Sequence, residues 1–416
     1  MVCQSRGPEP DRQRIELADV FAAHGESYLQ SRSVPARYLK VMRAIVNCRT
    51  AALGGHRQQC CGCHYQRYVY HSCRNRHCPK CQAQASEAWR KARQLELLPV
   101  PYFHQVFTLP HELNRWVLYG ESNQRRLLKL LFDAAAQTLL EFGQHELGGQ
   151  VGFTLVLHTW DQELRPHFHL HGIIASGALL TSGRWRAGGR RFLFSVRAMS
   201  KMFRGKFLAG LETLLQANLL KVPPNGPAGV ENGHRLLRRL SKKSWVIYSQ
   251  APFAGPRKLL DYLSRYTHRT AISNDRLVQM QAGQVTFRYR DRRDGDRSKL
   301  RTLDAGEFIG RFLSHVLPSG FMRIRHYGFL ANRHRRAKLA AIREQLGSPP
   351  APENTATPVE PESAAQWLLE VAGIDVSQCP HCGGEMKQTK LPPHLPPVRL
   401  ERPKETGRAP PVRALK

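Results

Sequence analysis

The chain has 416 residues and carries 63 Lys and Arg against 32 Asp and Glu, a formal charge of +31. That length exceeds one ordinary domain and can bury at least one sizeable core. So large a basic excess calls for a polyanionic partner, nucleic acid first, since each neutralised phosphate releases counterions; with no apolar run of about 18 residues and no secretory signal, a membrane partner is not expected and the protein reads as cytoplasmic.

The opening MVCQSRGPEPDRQR is polar and without periodicity. Residues 33–53 read as a helix, with Ser33 as cap, Pro35 in the first turn, and a stripe of Leu39, Met42, Ile45 and Val46. A Cys/His-rich block fills 56–81, a polar helix is expected at about 83–98, and Pro99-Val100-Pro101 marks a domain boundary. Residues 102–109 read as a strand, and 122–142 as a long amphipathic helix with Leu127, Leu128, Leu131 and Ala135 inward, ended by Gly143. Residues 151–159 and 167–175 read as two strands of a hairpin. A Gly/Arg-rich loop, SGRWRAGGRR, precedes a short strand and a helix near 196–219, and residues 244–249 are strand-like. Gly255-Pro256 opens a further helix. Residues 285–290 read as a strand, 304–317 and 328–346 as helices. From Ser348 the chain turns Pro/Ser/Glu-rich, then basic, and disorder is expected there apart from a short CPHCGG element.

Ten cysteines in so large a chain point to metal, because they cluster in close pairs. Cys60-Cys61-Gly62-Cys63 and Cys78-Pro79-Lys80-Cys81 each supply C-x-x-C, and the residues between allow a small hairpin to fold the pairs together. Four thiolates suit a structural Zn2+, so Cys60, Cys63, Cys78 and Cys81 are the expected ligands. His56, Cys61, His71, Cys73 and His77 are alternatives for one position or for a second site. Cys379 and Cys382 form a further pair without an obvious partner pair: a partial zinc knuckle or no site.

Two other patterns carry chemistry. In Pro166-His167-Phe168-His169-Leu170-His171, alternate residues of a strand point the same way, so His167 and His169 can hold one ion while Phe168 and Leu170 face a core. In Tyr262-Leu263-Ser264-Arg265-Tyr266, helical spacing puts two phenols on one face. Either pattern alone is commonplace in ordinary cores and surfaces. Together, in a basic chain with a zinc module, they suit an enzyme that breaks and rejoins a DNA strand through a protein–phosphate link.

The stretches GGHRQQCCGCHYQRYVYHSCRNRHCPKCQ, RPHFHLHGIIASGAL, YLSRYTHRTAIS and RIRHYGFLANRHRRAKL, in this order, resemble the insertion-sequence-91-like transposases over roughly residues 35–345. These are rolling-circle, two-tyrosine members of the His-hydrophobic-His endonuclease superfamily. The resemblance implies an α+β fold, an antiparallel central sheet flanked by helices, with a small N-terminal zinc-binding domain. It implies His167 and His169 as the metal pair, with His169/His171 as the alternative register, and Tyr262 and Tyr266 as nucleophiles. It matches Cys60, Cys63, Cys78 and Cys81 to the zinc motif. A third ligand for the catalytic ion is expected, His158 first, then His104 or Gln162. The implied cofactors are structural Zn2+ and catalytic Mg2+ or Mn2+; the implied partner is single-stranded DNA at element ends and target. The expected organisation is an N-terminal helical and zinc-binding part (1–98), a catalytic part with basic C-terminal helices (99–346), and a Pro-rich tail (347–416). A replication initiator or relaxase would share the chemistry, whereas a non-catalytic zinc regulator or a zinc hydrolase would leave the tyrosines idle.

Overall fold

The computed structural model describes residues 14–224, 233–250, 268–349 and 373–394, together with 365, 366, 368 and 369. Among these the helices are α1 (Leu17–Gln30), α2 (Ala36–Val46), α3 (Gln82–Gln94), α4 (Asn114–Leu118), α5 (Gly120–Leu147), α6 (Val196–Gln216), α7 (Gly233–Ser241), α8 (Ala305–Ser314) and α9 (Arg335–Gln345). The strands are β1 (Gly55–Cys60), β2 (Gln66–Tyr70), β3 (Tyr102–Thr108), β4 (Gly149–Trp160), β5 (Pro166–Leu180), β6 (Trp185–Ala187), β7 (Ile247–Gln250), β8 (Leu277–Gln281), β9 (Gln284–Asp291), β10 (Arg297–Asp304), β11 (Ile324–Gly328) and β12 (Met386–Leu391). They fall into two compact units, one drawn from Met1–Cys81, Ile272–Val316 and Val376–Lys416, the other from Gln82–Ala271 and Leu317–Asp375. This partition differs from the linear division expected at residues 98 and 346, because the first unit gathers three separate stretches of chain.

In the first unit, β8, β9 and β10 form an antiparallel meander that leads directly into α8. Asp304 starts that helix by accepting from the backbone N–H of Gly306 (2.8 Å) and Glu307 (3.2 Å), satisfying two of the donors a helix start leaves open. Phe312 of α8 meets Phe21 of α1 edge-on at 5.5 Å, and Phe308 packs on Phe287 of β9 at 5.8 Å. A second three-stranded sheet has the order β12-β1-β2. Its outer strand β12 comes from the tail for which only a short isolated element was expected. The tail residues from 395 on, like most of 350–372, lie outside the described residues.

The second unit is built on an antiparallel sheet of order β11-β4-β5-β3-β7, with β6 paired to the end of β5. The fold class is thus α+β with an antiparallel central sheet flanked by helices. Phe168, Leu170 and Ile174 alternate along β5 and bury one face against Leu127, Leu128, Leu131 and Leu139 of α5 and Phe203 and Phe207 of α6. Each such fully buried side chain contributes about 1.5–3 kcal/mol. On the opposite face, Ile173 and Ala175 pack with Leu339 and Ile342 of α9, while the neighbouring end of that face carries histidines.

The helix expected over 33–53 is shorter, Ala36–Val46, with a separate turn Ala51–Leu53 that starts where the Thr50 side chain accepts from Ala52 N–H, and two further boundaries differ for physical reasons. Gly143 does not end α5, which runs to Leu147 and closes on Gly148 with a left-handed φ of 66°. Gly143 is needed for proximity: a Cβ there would lie 2.7 Å from Val151 Cγ1. The stretch 328–346 is not one helix, since Gly328 ends β11 and α9 begins only at Arg335. Among the described residues no helix is long and apolar enough to cross a membrane.

Candidate metal centres

The hairpin of β4 and β5 builds a cluster of three buried imidazoles. His158 of β4 is the direct cross-strand partner of His169, and His171 follows two residues along β5, so all three share one face. One ligand nitrogen from each of His158, His169 and His171 lies within 4.8 Å of the others. His158 and His171 approach to 4.6 Å between ring centroids, and Trp160 stacks on His158 at 5.2 Å.

His169 Nδ1–H donates to the backbone carbonyl of His167 at 2.8 Å, which leaves Nε2 as the nitrogen a metal would take. His171 Nδ1 lies 2.9 Å from His104 Nε2 on β3. Burial holds the His104 imidazole down at about 4, so it is neutral and able to accept the His171 Nδ1–H, again leaving Nε2 for an ion. Three convergent imidazoles, two of them with the outer nitrogen tied back by a hydrogen bond, fit a divalent cation.

Of the expected pair His167/His169, the structure brings His169 together with His171, the alternative register, and with His158, and leaves His167 outside that cluster. The strand register shifts between His158 and Trp160, and His167 falls in the shifted stretch at the exposed start of β5. There it lines a cleft of about 270 Å3 with Thr108, Asn114, Lys243 and Trp245. His104 stands behind His171 as its hydrogen-bond partner, and Gln162 lies in the β4–β5 turn. Tyr262 and Tyr266 fall in 251–267, outside the described residues.

The cysteines form two clusters, each with its sulfurs within 4.8 Å of one another: Cys48, Cys73, Cys78 and Cys81, and Cys60, Cys63, Cys379 and Cys382. The structure does not bring Cys60, Cys63, Cys78 and Cys81 together as expected: Cys60 at the end of β1 and Cys63 in the turn after it lie with the C-terminal pair instead. Cys78 and Cys81 join Cys73, one of the expected alternatives, and Cys48, which follows α2 and was hidden in a stretch read as helix. Cys48 Sγ lies 3.4 Å from Cys81 Sγ, and Cys73 Sγ 3.6 Å from it. The edge of a tetrahedron with Zn–S near 2.3 Å is about 3.8 Å, so these separations suit a zinc thiolate shell. His56 and His71 pack edge-on against each other at 5.2 Å and, like His77 and Cys61, join neither cluster.

A basic cleft of about 760 Å3 in the second unit is lined by Trp89, Arg93, Arg125, Lys129, Arg325 and Arg335. Long cationic side chains around a partly buried indole suit a nucleic-acid backbone.

Comparison with known proteins bears on this set of sites. A family model described as a putative transposase matches residues 152–338, which include all three clustered histidines, and one described as a transposase zinc-binding domain matches residues 20–109. The chain is 44% identical over 374 residues to the putative transposase y4qJ of Sinorhizobium fredii, covering 88% of this chain and 92% of the relative. It is 30% identical over 362 residues to the transposase for insertion sequence element IS801 of Pseudomonas savastanoi pv. phaseolicola, covering 84% of this chain and 83% of that one. Among solved structures, a metal-free conjugative relaxase TrwC in complex with oriT DNA matches 39% of this chain and 71% of its own at 14% identity, with a TM-score of 0.21, too low to carry an argument. The length and extent of the two transposase matches decide the family: the chain belongs to the insertion-sequence-91-like transposases.

Proposed function

We propose that this transposase nicks and rejoins single-stranded DNA in rolling-circle transposition, using Tyr262 and Tyr266 as nucleophiles beside a divalent ion held by His158, His169 and His171. The observation that carries the reading is the buried trio of imidazoles on one face of the β4–β5 hairpin, in a chain of this family. When bound, Mg2+ or Mn2+ would polarise the scissile phosphate and offset charge on its oxygens.

The chain's own groups do the rest. A tyrosine oxygen attacks phosphorus, the P–O3′ bond breaks, and the phenolic proton is in balance delivered to the departing 3′ oxygen. The products are a 5′-phosphotyrosine and a 3′-OH, and the covalent link conserves the bond energy for rejoining. A phenol with an ordinary pKa near 10 needs help to lose its proton, and a basic side chain would serve that end. Two phenols at helical spacing let one hold a DNA end while the other attacks the next site. The cysteine module and the basic cleft serve DNA binding rather than chemistry, and the work takes place in the cytoplasm, where the donor DNA lies.

The test is nicking of a labelled single strand spanning the end of the encoding element. Cleavage should require Mn2+ or Mg2+ and vanish in His169→Ala and His171→Ala, while DNA binding and its salt dependence persist. Cleavage that survives chelation of all divalent ions would refute the reading.

A further inference from the structure

We propose that the chain holds a second structural Zn2+ in a site split between its two ends, with Cys60 and Cys63 from the N-terminal module and Cys379 and Cys382 from the C-terminal segment, and that this ion clasps the segment onto the module. The inference stands apart from the histidine centre and from the proposed cleavage chemistry. Both C-terminal ligands lie beyond the residues that either family model matches.

Cys60 Sγ lies 3.4 Å from Cys382 Sγ, and Cys63 Sγ lies 3.6 Å from Cys379 Sγ, across sequence separations of 322 and 316 residues. These distances are far too long for disulfides, which need about 2.05 Å, and close to the edge of a ZnS4 tetrahedron, about 3.8 Å. Backbone N–H groups already point at the sulfurs. Cys63 and Gly62 donate to Cys60 Sγ at 3.5 and 3.3 Å, and His381 donates to Cys379 Sγ at 3.4 Å. Such donors suit the sulfurs of a metal-bound thiolate shell. Gly384 leaves room at the site, since a Cβ there would lie 3.4 Å from both Cys382 Sγ and Cys60 Sγ.

The rest of the segment is laid down to match. β12 pairs with β1 along its whole length, from Gly55↔Leu391 to Cys60↔Met386, which makes β1 the central strand of its sheet. Arg67 Nη2 donates to Val376 O at 2.9 Å, and the His394 N–H donates to Ala51 O at 2.9 Å. His381 packs on Tyr65 at 4.4 Å. Apolar burial at the junction is slight: Cys60, Cys379 and Met386, with Tyr65 partly buried beside them. With so little apolar burial, a metal bond would add to the backbone pairing in holding the distant segment in place. The N-terminal module is then complete only once the C-terminus has been made.

Metal counting on the full chain tests this. Cys379→Ser with Cys382→Ser should lose one Zn2+ per chain relative to wild type, and Cys60→Ser with Cys63→Ser should lose one. All four together should still lose only one, because they share an ion, whereas adding Cys78→Ser and Cys81→Ser should remove another. An unchanged zinc content in the C-terminal variant, or loss of two ions when the four are combined, would overturn the proposal. Wild-type protein gives a check that survives misfolding of variants. Cys61, Cys63 and Cys382 are all exposed, and only Cys61 lies outside both clusters. N-ethylmaleimide should label Cys61 quickly and Cys63, Cys379 and Cys382 only after chelation. Labelling of Cys379 and Cys382 as fast as Cys61 before chelation would overturn it.

Discussion

Replacing His104 by Phe removes the nitrogen that lies 2.9 Å from His171 Nδ1 while keeping a ring of similar size. The two rings stack with centroids 5.2 Å apart and planes 10° from parallel, so the aromatic contact should persist in the variant. What is lost is the acceptor that holds the His171 imidazole in orientation. His171 is 8% exposed, and a buried donor left without a partner costs about 1–3 kcal/mol. Outer partners of metal-binding histidines are worth about 10–100-fold in affinity, and the same range follows here from one lost hydrogen bond at a buried ring. Isothermal titration with Mn2+ should therefore show a weaker dissociation constant by that factor. Nicking at low Mn2+ should fall in parallel and recover as Mn2+ is raised, which separates an effect on the ion from one on the fold. An affinity within twofold of wild type would refute the role given to His104.

The remaining predictions concern register, packing and pH. His158→Ala, His169→Ala and His171→Ala should each reduce metal-dependent nicking by orders of magnitude, while His167→Ala keeps most of it; the reverse order of His167 and His171 in a cleavage assay would contradict the assigned centre. Gly143→Ala should cost about 1–3 kcal/mol in urea unfolding, since its Cβ would press on Val151 Cγ1 at 2.7 Å; an unchanged midpoint would show that α5 gives way freely. His326 accepts from Arg93 Nη1 (3.1 Å) at Nε2 and so donates from Nδ1 to Thr154 Oγ1 (2.8 Å), and burial with the charges of Arg93 and Arg335 holds it down at about 3. Its folded pKa is below the ordinary 6.5, so its contribution is intact above 6.5 and is lost as pH falls toward 3. Thermal unfolding midpoints should drop across that window, and less steeply in His326→Asn; equal slopes would count against the assignment.

Much of the sheet was readable because β5 alternates so strictly. Phe168, Leu170 and Ile174 declare one face and the histidines the other, and the hairpin with β4 follows from the polar turn between them. The one-residue shift near Thr159 was not readable. Continuing the closing pair Trp160–Pro166 without it would set His158 opposite Phe168, on the wrong face, whereas the shift sets it opposite His169. Bulges answer to three-dimensional fit rather than to composition, so the sequence singled out His158 but left the strand's register open between two pairs. Cys48 was obscured because it directly follows α2 and reads as part of the same helical stripe. The C-terminal cysteines could be seen as a pair but not matched to Cys60 and Cys63, since spacing along a chain says nothing about contacts more than three hundred residues apart. Gly143 looked like a stop because glycine commonly ends helices, yet here it serves a close approach to Val151.

The central claim is that strand breakage leaves the DNA joined to a tyrosine. It is tested most directly by incubating the protein with single-stranded DNA from the end of its element and Mn2+, denaturing, and mapping the attached residue by mass spectrometry. The account predicts a denaturation-resistant adduct on Tyr262 or Tyr266, absent from Tyr262→Phe combined with Tyr266→Phe and absent from His171→Ala. An adduct on any other residue, or one that persists in the double Phe variant, would contradict it.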